Sequence, residues 1–254
     1  MVKIALIIGY GPQQLPELNL SESLTIGTPY GNTSSPVFVD RQKNKEIYVI
    51  YRHGVDKRIP SFKVNYKANI YALYELGIEN ILATSVCGSL QEEICPGEFV
   101  AFDQFINLST HRELTFSDKI DISQLNHSSL HKPFSDDMRN SLIEASIVNG
   151  FTTHTKGIVL AVDGPRQSTR AESNLYRRWG ADVVNTTTVP EAILAHELNL
   201  KYGAISLCTY YDSWRTDIPP ASHTEKMDVA ERNKDKLHRV LMSGISNIEI
   251  DEQK

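Results

Sequence analysis

The sequence predicts an α/β protein, a sheet with helices on both faces. Short apolar runs alternate with segments of helical period along the whole chain, and glycines, prolines and hydroxyl residues fall at the joins. No internal repeat, low-complexity tract or long linker interrupts the 254 residues, which favours one domain over 1–254.

The elements follow in order. Val2 to Ile8 is a continuous apolar run ending in Gly9-Tyr10-Gly11-Pro12, a buried strand entering a tight loop. Val37 to Asp40 and Glu46 to Tyr51 are further strands, and Arg52-His53-Gly54 closes the second. Asn65 to Leu76 carries Ala68, Ala72, Leu73 and Leu76 at helical spacing, with Gly77 as the stop. Asn80 to Val86 is a strand ending at Cys87-Gly88-Ser89, and Glu98 to Ile106 is another apolar run. Residues 107–133 are polar and irregular and receive no assignment. Ser135 caps a helix through Val148, and Ile158 to Val162 is a strand. Thr169-Arg-Ala-Glu172 is a capping box that opens a helix to Trp179. Asp182 to Asn185 is a strand, and Pro190 at N1 starts a helix to Leu198. Tyr202 to Cys208 is the last strand. Thr224 to Ile245 reads as one helix with Met227, Ala230, Leu237, Leu241 and Ile245 on its buried face.

Composition excludes several classes of function. At 41% apolar and 22% charged, the chain is neither disordered, collagenous nor a disulfide knot. A net charge of −5 without a basic stripe gives no footprint for nucleic acid. Ile4 to Ile8 is too short for a signal h-region or a membrane span. Three cysteines (Cys87, Cys95, Cys208) with no CxxC fit a reduced, cytoplasmic protein.

Open α/β sheets bind ligands beyond the carboxyl ends of their strands. Gly9-Tyr10-Gly11, Arg52-His53, Ser85-Val86, Thr186-Thr187 and Tyr210 to Asp212 all fall at such ends. Hydroxyls, backbone N–H groups and a fixed cation suit an oxyanion such as phosphate. Taken singly, each glycine also serves as a turn and each hydroxyl as a cap. Gln14 stands where a dinucleotide fingerprint needs its third glycine, and no Walker A sequence or G-x-S-x-G elbow occurs. His127 and His131 have metal-pair spacing, but their segment has no helical period, so no metal is expected.

Longer motifs are more specific. Arg52-His-Gly54, Lys63-Val-Asn-Tyr-Lys-Ala-Asn69, Cys87-Gly-Ser-Leu90, Glu92-Glu-Ile-Cys-Pro-Gly97 and Gly164-Pro-Arg166 occur in order. Arg170-Ala-Glu-Ser173, Trp179-Gly-Ala-Asp182 and Thr187-Thr-Val-Pro-Glu191 follow. From Lys3 to about Leu241 the chain resembles the methylthioadenosine phosphorylases, of the trimeric purine nucleoside phosphorylase family. The resemblance implies a central mixed sheet, partly closed into a barrel and flanked by helices. It also implies a cytoplasmic homotrimer with a site at each subunit interface. The implied reaction is phosphorolysis of an N-glycosidic bond, giving a free base and ribose 1-phosphate. Nucleoside and inorganic phosphate are the substrates, with no cofactor, nucleic acid or membrane partner.

By the same resemblance, Arg52, His53, Ser85 and Thr187 bind phosphate, Ser85 replacing a threonine. Tyr10 replaces a small hydroxyl residue in the glycine loop and either reaches the phosphate or fills its space. Val86, Ser168 and Thr186 line the nucleoside site, with Thr186 in place of a methionine under the ribose. Gln167 replaces a phenylalanine that packs on the purine. Tyr210 replaces the acid or amide at N7, while Asp212 keeps the second acid of the pair, so these two are the candidate catalytic residues. A phenol, with its ordinary pKa of about 10, is a poor proton donor at neutral pH. His223 makes the 5′ pocket polar where the family is apolar. His127 matches the histidine lent across the trimer interface, and Lys57 replaces another. These departures imply an altered base and 5′ specificity. Two alternatives are a phosphate-independent nucleoside hydrolase and a nucleoside-binding homologue with little turnover.

Overall fold

A computed structural model describes residues 1–10, 15–119 and 129–248. The strands are β1 (Val2–Ile8), β2 (Glu22–Leu24), β3 (Val37–Arg41), β4 (Lys45–Tyr51), β5 (Asn80–Ser89), β6 (Phe99–Ala101), β7 (Gln104–Asn107), β8 (Thr153–His154), β9 (Ile158–Ala161), β10 (Val183–Asn185) and β11 (Lys201–Tyr211). The helices are α1 (Tyr66–Glu75), α2 (Asp136–Val148), α3 (Arg170–Arg178), α4 (Thr188–Glu197), α5 (His223–Arg232) and α6 (Lys234–Asn247).

The strands form one mixed sheet, ordered β2-β3-β4-β1-β5-β10-β9-β7, with a branch from β5 through β11 and β6 to β8. Successive side chains alternate across it. Ala5 and Ile7 of β1 enter one core, Ile4, Leu6 and Ile8 the other. The first core takes its helical residues from α1 and α4, including Ile70, Leu73, Val189 and Ala195. The second takes Met138 and Leu142 of α2 with Leu237 and Leu241 of α6. Helices therefore cover both faces, and each large aliphatic buried this way stabilises the fold by about 1.5–3 kcal/mol.

Local chemistry accounts for the helix starts. Asn65 and Ser135 accept hydrogen bonds from the third backbone N–H of α1 and α2. Thr169 and Glu172 form both halves of the capping box at α3.

Five expectations need correction. The apolar run to Ile106 is two strands, β6 and β7, kinked at Phe102-Asp103. Arg139 Nε donates to Phe102 O at 2.6 Å, and Asp103 Oδ1 accepts from the Gly157 N–H at 2.9 Å. Because β6 and β7 are successive pieces of one chain rather than a paired ladder, the sheet is not closed into a barrel. Pro190 is the third residue of α4, not the first, and its missing N–H still falls within the turn that needs no intrahelical partner. The C-terminal helix is divided at Asn233, whose side-chain amide donates back to Val229 O at 2.7 Å. Met227 lies on the exposed side of α5, while Ala230, Leu237, Leu241 and Ile245 are buried.

Candidate active site

Register brings the expected strand ends together. Ile8 of β1 lies level with Tyr51 of β4 and Thr84 of β5, and Ser85 lies beside Ser206 of β11. Gly9-Tyr10, Arg52-His53 and Ser85-Val86 thus share one edge. Antiparallel β10 runs back along the end of β5, Val184 opposite Gly88, and delivers Thr186 and Thr187 toward the same edge.

Asn185 ties this corner. Its Nδ2 donates to Ser85 Oγ at 3.2 Å and to Val86 O at 2.8 Å. Its Oδ1 accepts from the N–H groups of Thr187 at 2.7 Å and Thr188 at 3.0 Å, satisfying the start of α4. Ser85 Oγ also donates to Ser206 Oγ at 2.9 Å.

Arg52 is fully buried. It makes a bidentate pair with Glu191, at 2.5 Å and 2.8 Å, and donates to Thr84 O at 2.8 Å. Burial opposes its charge, and Glu191 more than compensates. Gly9 leaves room for it: a Cβ there would fall 1.5 Å from Arg52 Nη1 and 2.6 Å from Thr84 O. His53 bonds Ile59 O through Nδ1 at 2.8 Å. Burial, then the neighbouring Arg52 charge, pushes its pKa down to about 4. The imidazole is therefore neutral at pH 7, with Nδ1 as the donor and Nε2 as an acceptor.

Tyr10 does not join Ser85. Its ring packs against the second core, with Lys57 Nζ 5.0 Å from its centroid, while Ser85 shares its side of β5 with Ala83 and Cys87 of the first core. Its main-chain carbonyl accepts from Thr84 Oγ1 at 2.8 Å.

The second half of the site lies at the end of β11. The Tyr210 ring rests on Gly88, where a Cβ would fall 2.5 Å from Tyr210 Cζ. Burial and Asp212 raise the Tyr210 pKa well above that of an ordinary phenol. Asp212 is buried, which pulls its pKa up, and Ser168, Ser173 and Lys226 beside it pull it down. The hydroxyls of Ser168 and Ser173 and the Ser213 backbone surround the carboxylate and favour its ionised form. Ser168 O accepts from Ser213 Oγ at 2.7 Å. Thr186 lies against Gly164. Gln167 is exposed on the loop before α3, and His223 is exposed at the first position of α5; no hydrogen bond draws either side chain into the corner. His127 lies outside the described residues. The sequence reading missed Glu191 as the Arg52 partner and Lys226 as the cation over Tyr210. Glu191 closes the Thr187-Thr-Val-Pro-Glu191 motif, and the Ser222-to-Glu225 capping box marks where α5 begins.

The phosphorylase superfamily model matches residues 3–246, so the chain belongs to the phosphorylase superfamily. It is similar to S-methyl-5′-thioadenosine phosphorylase of Ciona intestinalis, 39% identical over 248 residues, 97% of this chain and 89% of that protein. The Pyrococcus abyssi protein of the same name is 40% identical, covering 98% of this chain and 93% of its own. Among solved structures, methylthioadenosine phosphorylase from Schistosoma mansoni in complex with adenine superposes with a TM-score of 0.91 at 30% identity, over 98% and 92% of the two chains. Fold and relatives together make this enzyme a nucleoside phosphorylase, a pentosyltransferase.

Proposed function

We propose that the enzyme cleaves a purine nucleoside with inorganic phosphate, at a site divided between the Asn185 corner and the Tyr210–Asp212 corner. The 5′-thioadenosine substrate named for its relatives is the starting point. The Tyr210, Gln167 and His223 positions shift base and 5′ specificity away from it. The observation that carries this reading is the register that sets Arg52, His53, Ser85 and Thr187 along one sheet edge.

In this reading those four residues hold phosphate, with the Arg52 charge fixed by Glu191. Val86, Ser168 and Thr186 face the nucleoside. Phosphate attacks C1′ as the sugar becomes oxocarbenium-like, and the base departs as its ring nitrogen is protonated. No further cofactor is invoked. The packing of Tyr10 on the second core favours phosphate over water as nucleophile. The reading includes a cytoplasmic homotrimer to which His127 contributes across the interface; mass measurement in solution tests that assembly. No helix among the described residues is long and apolar enough to cross a membrane.

The test is base release from methylthioadenosine, adenosine, inosine, guanosine and pyrimidine nucleosides, with and without phosphate. Phosphate-dependent release of a purine is expected. Equal release without phosphate, or none across the panel, overturns the reading.

A further inference from the structure

Two opposite charges at the corner between β11 and α5 lie close without meeting. Lys226 Nζ is buried without a hydrogen-bond partner and stands 3.9 Å from the Tyr210 ring centroid. Both oxygens of Asp212 are buried beside it, with the Ser168 and Ser173 side chains and the Ser213 backbone around them. Each charge favours the ionised form of the other, yet neither reaches the other at hydrogen-bond distance. An unmet buried ammonium costs stability, and a chain that keeps one beside a buried carboxylate has a reason to do so. A heterocycle edge with an acceptor nitrogen beside an N–H satisfies ammonium and carboxylate together.

This corner also lacks a proton donor from the side chain expected to supply one. Tyr210 is buried against Gly88 with Lys226 Nζ over its ring, and its environment holds its proton more tightly than water does. Resting on the phosphorolysis reading above, we propose that Lys226 is the general acid, donating to an acceptor ring nitrogen of the leaving base while Asp212 accepts from the adjacent N–H. A phosphate oxygen forms a bond to C1′ and the C1′–N bond breaks, its electron pair passing to the base. The Lys226 ammonium gives the base a proton and becomes an amine. The amine recovers a proton from solvent, and the sugar phosphate releases one. Burial lowers the Lys226 pKa, which makes the ammonium a better donor.

The experiment compares wild type with Lys226→Met on two substrates, the best purine nucleoside of the panel and its N7-methylated counterpart. The methylated base already carries a positive charge and departs without an acid. The variant is expected to lose on the order of 10²-fold or more in kcat on the ordinary nucleoside. On the methylated one it keeps its rate or gains. Equal loss on both substrates, or no loss on either, overturns the assignment. Lys226→Arg, which keeps the charge but donates a proton poorly, is read the same way where the methionine variant does not fold. A wild-type enzyme without phosphate-dependent cleavage of any nucleoside defeats the parent reading instead, an outcome visible before any variant is made.

Discussion

The Arg52 guanidinium and the Glu191 carboxylate face each other in a bidentate pair, both side chains fully buried, though 139 residues separate them in the chain. Tyr202 donates its hydroxyl to the same carboxylate at 2.6 Å. Removing one partner leaves a buried charge without compensation, which costs about 3–5 kcal/mol. Glu191→Ala is expected to lower stability by about that much, read as a fall in the urea midpoint at unchanged slope. A change below about 1 kcal/mol contradicts the pairing.

The contact of Tyr210 with Gly88 predicts a coupled pair of substitutions. Gly88→Ala pushes a methyl group into the ring and is expected to cost about 1–3 kcal/mol. In a Tyr210→Ser background the space is open, and the same change is expected to be close to neutral. A double-mutant cycle on chemical unfolding measures the coupling. Additive effects mean the ring lies elsewhere.

His53 predicts a pH dependence whose sign follows from its neighbours. Its pKa is about 4 in the folded chain, against an ordinary value of 6.5. Between those values the unfolded chain binds more protons, so stability rises with pH across that window and falls as pH drops from 6.5 toward 4. His53→Gln is expected to flatten this part of the profile in urea titrations at stepped pH. An unchanged slope removes His53 as the source.

Ser222 is the cap that fixes the start of α5, one turn before Lys226. Ser222→Ala is expected to cost about 1 kcal/mol. Because α5 contributes only Ala230 to the buried set, the loss is expected as faster amide exchange over 223–226 rather than as a lower global midpoint. Uniform exchange across the chain contradicts this.

The fold was legible wherever one local signal decided it. Asn65, Ser135 and the Thr169–Glu172 pair announce their helices through hydrogen bonds within four residues. The strands around the site are continuous apolar runs. What stayed hidden depends on partners far along the chain. The kink at Phe102 is held by Arg139, and an apolar run carries no mark of it. The break at Asn233 lies inside an uninterrupted helical period. Strands of two or three residues, β8 and β2, are too short for any alternation to register. Strand ends and motifs pointed to Arg52, Ser85 and Thr187, and the register sets these along one sheet edge. Lys226 escaped because a lysine in a polar helix ordinarily faces water, and only the fold lays this one over an aromatic ring.

Asn185 is a joint between three elements. One amide joins β10, the end of β5 and the first turn of α4, and its bonds reach Ser85, Val86, Thr187 and Thr188. None of them reaches Gln167, Tyr210 or His223. On the proposed reading, replacements at Gln167, Tyr210 and His223 leave the bonds around Ser85 and Thr187 untouched. If that reading holds, specificity for the nucleoside can change by single replacements that do not disturb the joint holding the phosphate corner.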